Sequence, residues 1–212
     1  MLKLKVCGST DPENIKQLVK LGPDMMGLIF YSSSQRDVSS KNVTEICEMI
    51  PSHIKRVGVF VDSDLNFIEE KIILYKLDLI QLYHEDISRF QDLRAKVKII
   101  KAISVNTKTD LLRTYVYRDQ TDLFLFDTKG AKPGGNGIKF DWRIIQNYKE
   151  KTPFLLSGGI GPNDAESIKQ IYHEQFYGID INSKFEIEPG IKNINAIQNF
   201  KTQLYENIEH NR

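Results

Sequence analysis

Two side chains in this sequence are placed to trade protons with a small molecule. Cys7 ends the short apolar run LKLKV and is followed at once by Gly8, and Asp127 directly follows DLFLF. Alternation along an extended strand puts Lys3, Lys5 and Cys7 on one face and Leu2, Leu4 and Val6 on the other. If the apolar face packs, Lys5 and Cys7 point together into a common interior. A free thiol titrates near pH ~8.5, and an adjacent ammonium lowers that value, which would ready Cys7 as a base or nucleophile. Leu123, Leu125 and Asp127 share a face in the same way, and a part-buried carboxyl group with a raised pKa can deliver a proton. Each residue also has a plainer reading. Cys7 could be a small residue filling a layer of the interior, and Asp127 a loop aspartate bonded to its own backbone.

Anion-binding features lie elsewhere in the chain. SGGIGPND at 157–164 and INSKFE at 181–186 have the composition of a phosphate cradle, in which glycines let backbone N–H groups approach an anion. Gly158, Gly159, Asn182, Ser183 and Lys184 are the candidates there. Arg36, in FYSSSQRDVS, carries a planar fork suited to a carboxylate, although a solitary loop arginine is also an ordinary solvated charge. GAKPGGNG at 130–137 lacks the Lys-Ser/Thr ending of a nucleotide-binding P-loop and reads instead as a flexible lid. The histidines at 53, 84, 173 and 210 and the cysteines at 7 and 47 show no metal-ligand spacing, so no metal site is expected.

The elements that must position these groups alternate along the chain. Runs rich in β-branched and aromatic residues occur at 2–6, 25–30, 56–61, 77–82, 97–103, 122–126, 153–156 and 177–181. Segments of helical spacing lie between them, such as Ile15, Leu18, Val19 and Val43, Ile46, Cys47, Ile50, which buries Cys47 on a helix face. Thr10 to Glu13 reads as a capping box with proline in the first turn, and Gly161 to Asp164 as the start of another helix. Eight alternating units predict a single α/β domain over 1–212, a (β/α)8 (TIM) barrel, with a doubly wound open sheet as the competing architecture. In such a barrel the chemistry gathers where strands run out into the following loops. Cys7, Arg36, Asp62, Tyr83 with His84, Ser104, Asp127, Ser157-Gly158-Gly159 and Asn182-Ser183 all fall there.

Composition narrows the partner. Twenty-nine basic residues against 28 acidic ones leave no electrostatic footprint for nucleic acid or an anionic membrane, so a small molecule is the expected partner. No run reaches the roughly 20 apolar residues of a membrane helix, and two cysteines are too few for a disulfide framework. A cytoplasmic location is expected.

KVCGST at 5–10, GLIFYSSSQRDVS at 27–39, GVFV at 58–61, IQL at 80–82, FLFDT at 124–128, GGNGIKFDW at 134–142, LLSGGI at 155–160 and GIDINSKFE at 178–186 follow one another in order. Together these blocks resemble the phosphoribosylanthranilate isomerase family of tryptophan biosynthesis. The resemblance implies an Amadori rearrangement of N-(5-phosphoribosyl)anthranilate to a 1-deoxyribulose 5-phosphate. Cys7 would be the general base, Asp127 the general acid, and Arg36 the grip on the anthranilate carboxylate. Lys5, Gln81 and Asp180 join the cradle residues as candidates for substrate binding. One acid and one base suffice, so no cofactor is implied. A monomer or weak homodimer is expected. The sequence departs from the family at Tyr83 and His84, where His-Gly is usual, at Asn136 and Ile138, and at Lys184, where glycine is usual; a positive φ at Lys184 would add strain. A catalytically silent barrel kept as a scaffold should have lost acid, base or anion grip, and all three are present.

Overall fold

The structure is a computed structural model that describes residues 1–128 and 139–206. The expected lid at 130–137, with Asn136 and Ile138, lies outside the described residues. Eight parallel strands close into a barrel in sequence order: β1 (Lys3–Cys7), β2 (Met25–Phe30), β3 (Lys55–Phe60), β4 (Leu79–Leu82), β5 (Lys98–Val105), β6 (Leu123–Thr128), β7 (Phe154–Leu156) and β8 (Phe176–Ile181). Closure comes from β1 pairing β8 on one side and β2 on the other, and the open-sheet alternative is set aside.

The two faces of each strand build two cores. Outward residues such as Leu4, Val6, Ile99, Ile103, Phe124 and Phe126 pack beneath the outer helices, while Met25, Val57, Leu79, Ile100, Ala102, Leu123, Leu125 and Leu155 fill the barrel interior. Burial of both faces explains why the strands read as near-continuous apolar runs. The helices α1 (Pro12–Leu21), α2 (Val43–Met49), α3 (Leu65–Leu74), α4 (Thr114–Tyr117), α5 (Ala165–Lys169) and α6 (Ile194–Tyr205) are unequal in length. After β4, β5 and β6 the outer layer is largely 3-10 turns, at Ser88–Ala95, Lys108–Arg113 and Trp142–Asn147. Such abbreviated crossovers let 212 residues close a barrel that typically takes ~250. None of the described helices is long and apolar enough to cross a membrane.

Local signals held with two corrections, one being that Cys47, expected on the buried face of α2, is only half-buried. The α1 cap is Asp11, whose side chain accepts from Asn14 N, rather than Thr10, and Pro12 starts the first turn as expected. At the barrel floor, carboxylates repeat with the strand pairs. Asp24 accepts from Leu4 N, Asp78 from Arg56 N and Asp122 from Ile99 N, at 2.9, 2.9 and 2.8 Å. Each also meets a cation, Lys3, Lys55 or Arg94, so this face has pinned strand starts.

Candidate active site

At the opposite end, where the strands run out, a cavity of about 650 Å³ opens. Its lining includes Cys7, Arg36, Gln81, Tyr83, Asp127, Asp180 and Lys184, together with Ser157, Gly158, Gly159, Asn182 and Ser183. The topology brings residues from 7 to 184 to one mouth because parallel strands deliver all their C-terminal ends to the same face. Two expected strand-end residues, Asp62 and Ser104, do not line it. His84 turns away, its Nε2 on Ser63 O at 2.8 Å and its ring against Phe90, so Tyr83 alone of that pair faces the site.

Lys5 requires a correction. It shares the inward face of β1 with Cys7 but lies one layer deeper, fully buried, with its Nζ 3.0 Å from Asp180 Oδ1. The β1–β8 register sets Lys5 opposite Asp180, and two ions inside the barrel are tolerable only as such a pair. Lys5 does not line the cavity. The thiol also differs from expectation: burial, with the charge of Asp180, pushes the Cys7 pKa above its ordinary value, while the charges of Lys5 and Lys192 pull the other way. Desolvation of the thiolate, together with the Asp180 charge, outweighs the two cations.

Asp127 is held at both oxygens. Thr128 N–H donates to Oδ1 at 2.9 Å and the Tyr83 hydroxyl donates to Oδ2 at 3.2 Å. Burial, and then the charge of Asp180, raise its pKa to about 6 despite those donors. That is the range of a general acid working near neutrality.

Arg36 is not a solvated charge. Glu186 takes its Nε at 2.9 Å and its Nη2 at 2.6 Å, and Glu186 is in turn held by Lys192 Nζ at 2.7 Å and Gly190 N at 3.1 Å. A guanidinium offers five N–H donors, so this leaves the Nη1 edge, which has no partner among the described residues, available at the cavity. Lys192 also donates to Asn182 Oδ1 at 2.6 Å. Gly8 is obligatory beneath this cluster: its φ is +81°, and an added Cβ would lie 2.8 Å from Arg36 Cδ and 3.0 Å from Asn182 Oδ1.

Gly158 and Gly159, after β7, adopt φ of +85° and +68°, a double left-handed turn in the cavity wall. Lys184 sits in the 3-10 turn Ser183–Phe185 and is not one of the positive-φ residues, so the strain expected of a lysine there does not arise. Its exposed side chain lines the same wall.

Sequence reading overlooked Glu186 and Lys192 beside the site, and it placed Tyr83 at a strand end without giving it a role. Glu186 and Lys192 sit on the two strands of a hairpin, β9 (Glu186–Glu188) and β10 (Ile191–Lys192), folded back after β8. The signal was the Glu-Pro-Gly turn at 188–190 with one acid and one base flanking it.

The family model of N-(5'-phosphoribosyl)anthranilate (PRA) isomerase matches residues 4–203. The chain belongs to this family. An N-(5'-phosphoribosyl)anthranilate isomerase of Parabacteroides distasonis is 42% identical over 209 residues, spanning 95% of this chain and 92% of the relative. One of Phocaeicola vulgatus is 39% identical, spanning 97% and 99%. Among solved structures, phosphoribosyl anthranilate isomerase of Thermotoga maritima has a TM-score of 0.84 at 30% identity, over 96% of this chain and 98% of that one. A family structure in complex with reduced 1-(o-carboxyphenylamino)-1-deoxyribulose 5-phosphate has a TM-score of 0.81 at 28% identity, with the same coverage.

Proposed function

We propose that this chain isomerises N-(5-phosphoribosyl)anthranilate to 1-(2-carboxyphenylamino)-1-deoxyribulose 5-phosphate, in tryptophan biosynthesis, with Asp127 as general acid and Cys7 as general base. The observation that carries the residue roles is their convergence. Acid, thiol, Arg36 and the double-glycine turn line one cavity, which supports a substrate carrying both a carboxylate and a phosphate. Arg36 grips the anthranilate carboxylate through its Nη1 edge. Backbone N–H groups around Gly159, Ser183 and Lys184 receive the phosphate.

The proton steps balance without any other reagent. Asp127 gives a proton to the ribose ring oxygen; the C1–O bond breaks, leaving a C4 hydroxyl and a protonated Schiff base at C1. Cys7 then takes the C2 proton, and that electron pair forms the C1–C2 double bond of an enolamine. Ketonisation moves a proton from O2 to C1. Turnover leaves a thiol and a carboxylate, so resetting the site moves one proton from Cys7 to Asp127.

The starting state, thiolate with carboxylic acid, is the reverse of the order in which the two groups titrate. With Asp127 near 6 and Cys7 raised above an ordinary thiol, the pair holds one proton across the neutral range. The active form is the arrangement with that proton on Asp127, and Lys5 below the thiol favours it. Below about pH 6 both groups are protonated and the base is lost; above the thiol's raised value neither is, and the acid is lost.

For assembly we read a monomer or weak homodimer, to be checked by sedimentation. The function is tested by adding the purified protein to enzymatically generated phosphoribosylanthranilate and following loss of anthranilate fluorescence. Turnover is expected, and Cys7→Ser and Asp127→Asn should each lose on the order of 10² to 10⁴-fold in kcat while remaining folded. Near wild-type turnover in either variant sinks the corresponding assignment.

A further inference from the structure

We infer that Tyr83 is a positioning residue for the acid: its hydroxyl holds the outer oxygen of Asp127 at the cavity wall and stabilises the carboxylate left when the proton departs. This rests on the reading of Asp127 as the acid. Tyr83 stands where the sequence departs from its family, so its role does not come with the resemblance.

The geometry is specific. Tyr83 follows β4 directly and packs its ring against the apolar interior of the barrel, which sends the hydroxyl across to β6. Gln81, two residues earlier on the same inward row, faces the same hydroxyl, with Nε2 and the Tyr83 oxygen 3.4 Å apart. The Tyr83 hydroxyl thus has Gln81 behind it and Asp127 Oδ2 at 3.2 Å in front, while Thr128 N holds the other oxygen of Asp127 at 2.9 Å. Two donors, one per oxygen, fix the plane of the carboxyl group. Phenol serves here because it stays protonated: burial and the nearby charges of Asp127, Asp180 and Cys7 push its pKa well above the ordinary value. It donates throughout the working range and never competes as an acid.

A donor to the ionised form favours that form, so Tyr83 holds the Asp127 pKa down against burial. The other groups facing Asp127 are Asp180 from β8, which raises its pKa, and Lys5 from β1, which lowers it; Ser104 is its uncharged register neighbour on β5. Tyr83 is the side chain that bonds it directly among the described residues.

The test is Tyr83→Phe, which deletes one oxygen and keeps the ring. The acid limb of kcat/KM against pH should move upward by about one pH unit, because a hydrogen bond to a charged group has been removed, while the alkaline limb stays in place. KM should stay within about twofold, since Tyr83 is assigned no grip on substrate. Infrared titration of the Asp127 carboxyl band, identified by its loss in Asp127→Asn, should show the same upward movement in the free protein. A limb and a carboxyl band that both stay at their wild-type pH overturn the inference. If instead Asp127→Asn retains turnover, the acid assignment itself has failed, whatever Tyr83→Phe does.

Discussion

Replacing Glu186 with glutamine tests whether the hairpin after β8 exists to aim Arg36. Glu186 is 5% exposed and its carboxylate serves two cations, Arg36 through Nε and Nη2 and Lys192 through Nζ. Glutamine is isosteric but neutral, and if its Oε1 keeps Lys192, its NH2 must face the NH2 of Arg36, donor against donor. Breaking a buried ion pair by removing one partner costs ~3–5 kcal/mol. Arg36 is 18% exposed toward the cavity and can draw on water there, which places the loss near about 3 kcal/mol. For a domain of this size that is a fall in Tm of roughly 6–12 °C. The catalytic effect should be separate. An Arg36 freed to swing loses a charge-assisted hydrogen bond to the substrate carboxylate, about 1.5–3 kcal/mol in kcat/KM or roughly 10 to 150-fold, carried mainly by KM. Kinetics by anthranilate fluorescence and thermal unfolding give the two numbers. The deciding experiment is the cycle with Arg36→Ala: if Glu186 acts through Arg36, the double variant has the kcat/KM of Arg36→Ala alone. Additive losses, or a Glu186→Gln enzyme within twofold of wild type in kcat/KM, refute the reasoning and reduce Glu186 to a stabilising ion pair.

Three other outcomes follow from the same structure. In the wild type, kcat/KM should fall below about pH 6 and again only above the ordinary thiol range, since burial raises both groups; a neutral optimum narrower than about two pH units contradicts the shared-proton scheme. Lys184→Gly should raise KM about two- to fivefold at low ionic strength and converge with wild type at high salt, because an exposed ammonium attracts phosphate only while unscreened; equal KM at every salt concentration leaves the backbone cradle alone responsible. Lys101, buried on the outer face of β5 with Nζ on Ala102 O, has its pKa pushed down by burial to about 8. Between pH 8 and 10.5 the unfolded lysine holds a proton the folded one lacks, so this site's cost to folding is full below pH 8 and disappears as pH rises to 10.5. Lys101→Met should therefore stabilise by about 2 kcal/mol at pH 7 and by almost nothing at pH 10.5, and a gain equal at both values assigns the effect to packing instead.

The eight strands, their order and the placing of Cys7 and Asp127 at the ends of β1 and β6 were legible in the sequence, because each depends on local pattern. An apolar run bounded by turn residues is a strand wherever it sits, and strict alternation with helical segments admits few topologies. The Cys-Gly junction was legible for the same reason, as was the double glycine after β7. What the sequence could not decide was depth and pairing. Alternation put Lys5 and Cys7 on one face, but only barrel closure set Lys5 opposite Asp180, buried it there, and so took it out of the cavity. The thiol's pKa rises instead of falling because desolvation depends on everything packed around the group, not on its neighbour in sequence. Arg36 and Glu186 are 150 positions apart and meet only because β2 and β8 flank β1 and the hairpin folds back over their ends. Tyr83 likewise reaches Asp127 across the barrel interior, a distance along the chain of 44 residues that no local rule can bridge. Local periodicity determined which elements form; closing the cylinder decided which charges face each other in low dielectric, and with that which groups can hold a proton.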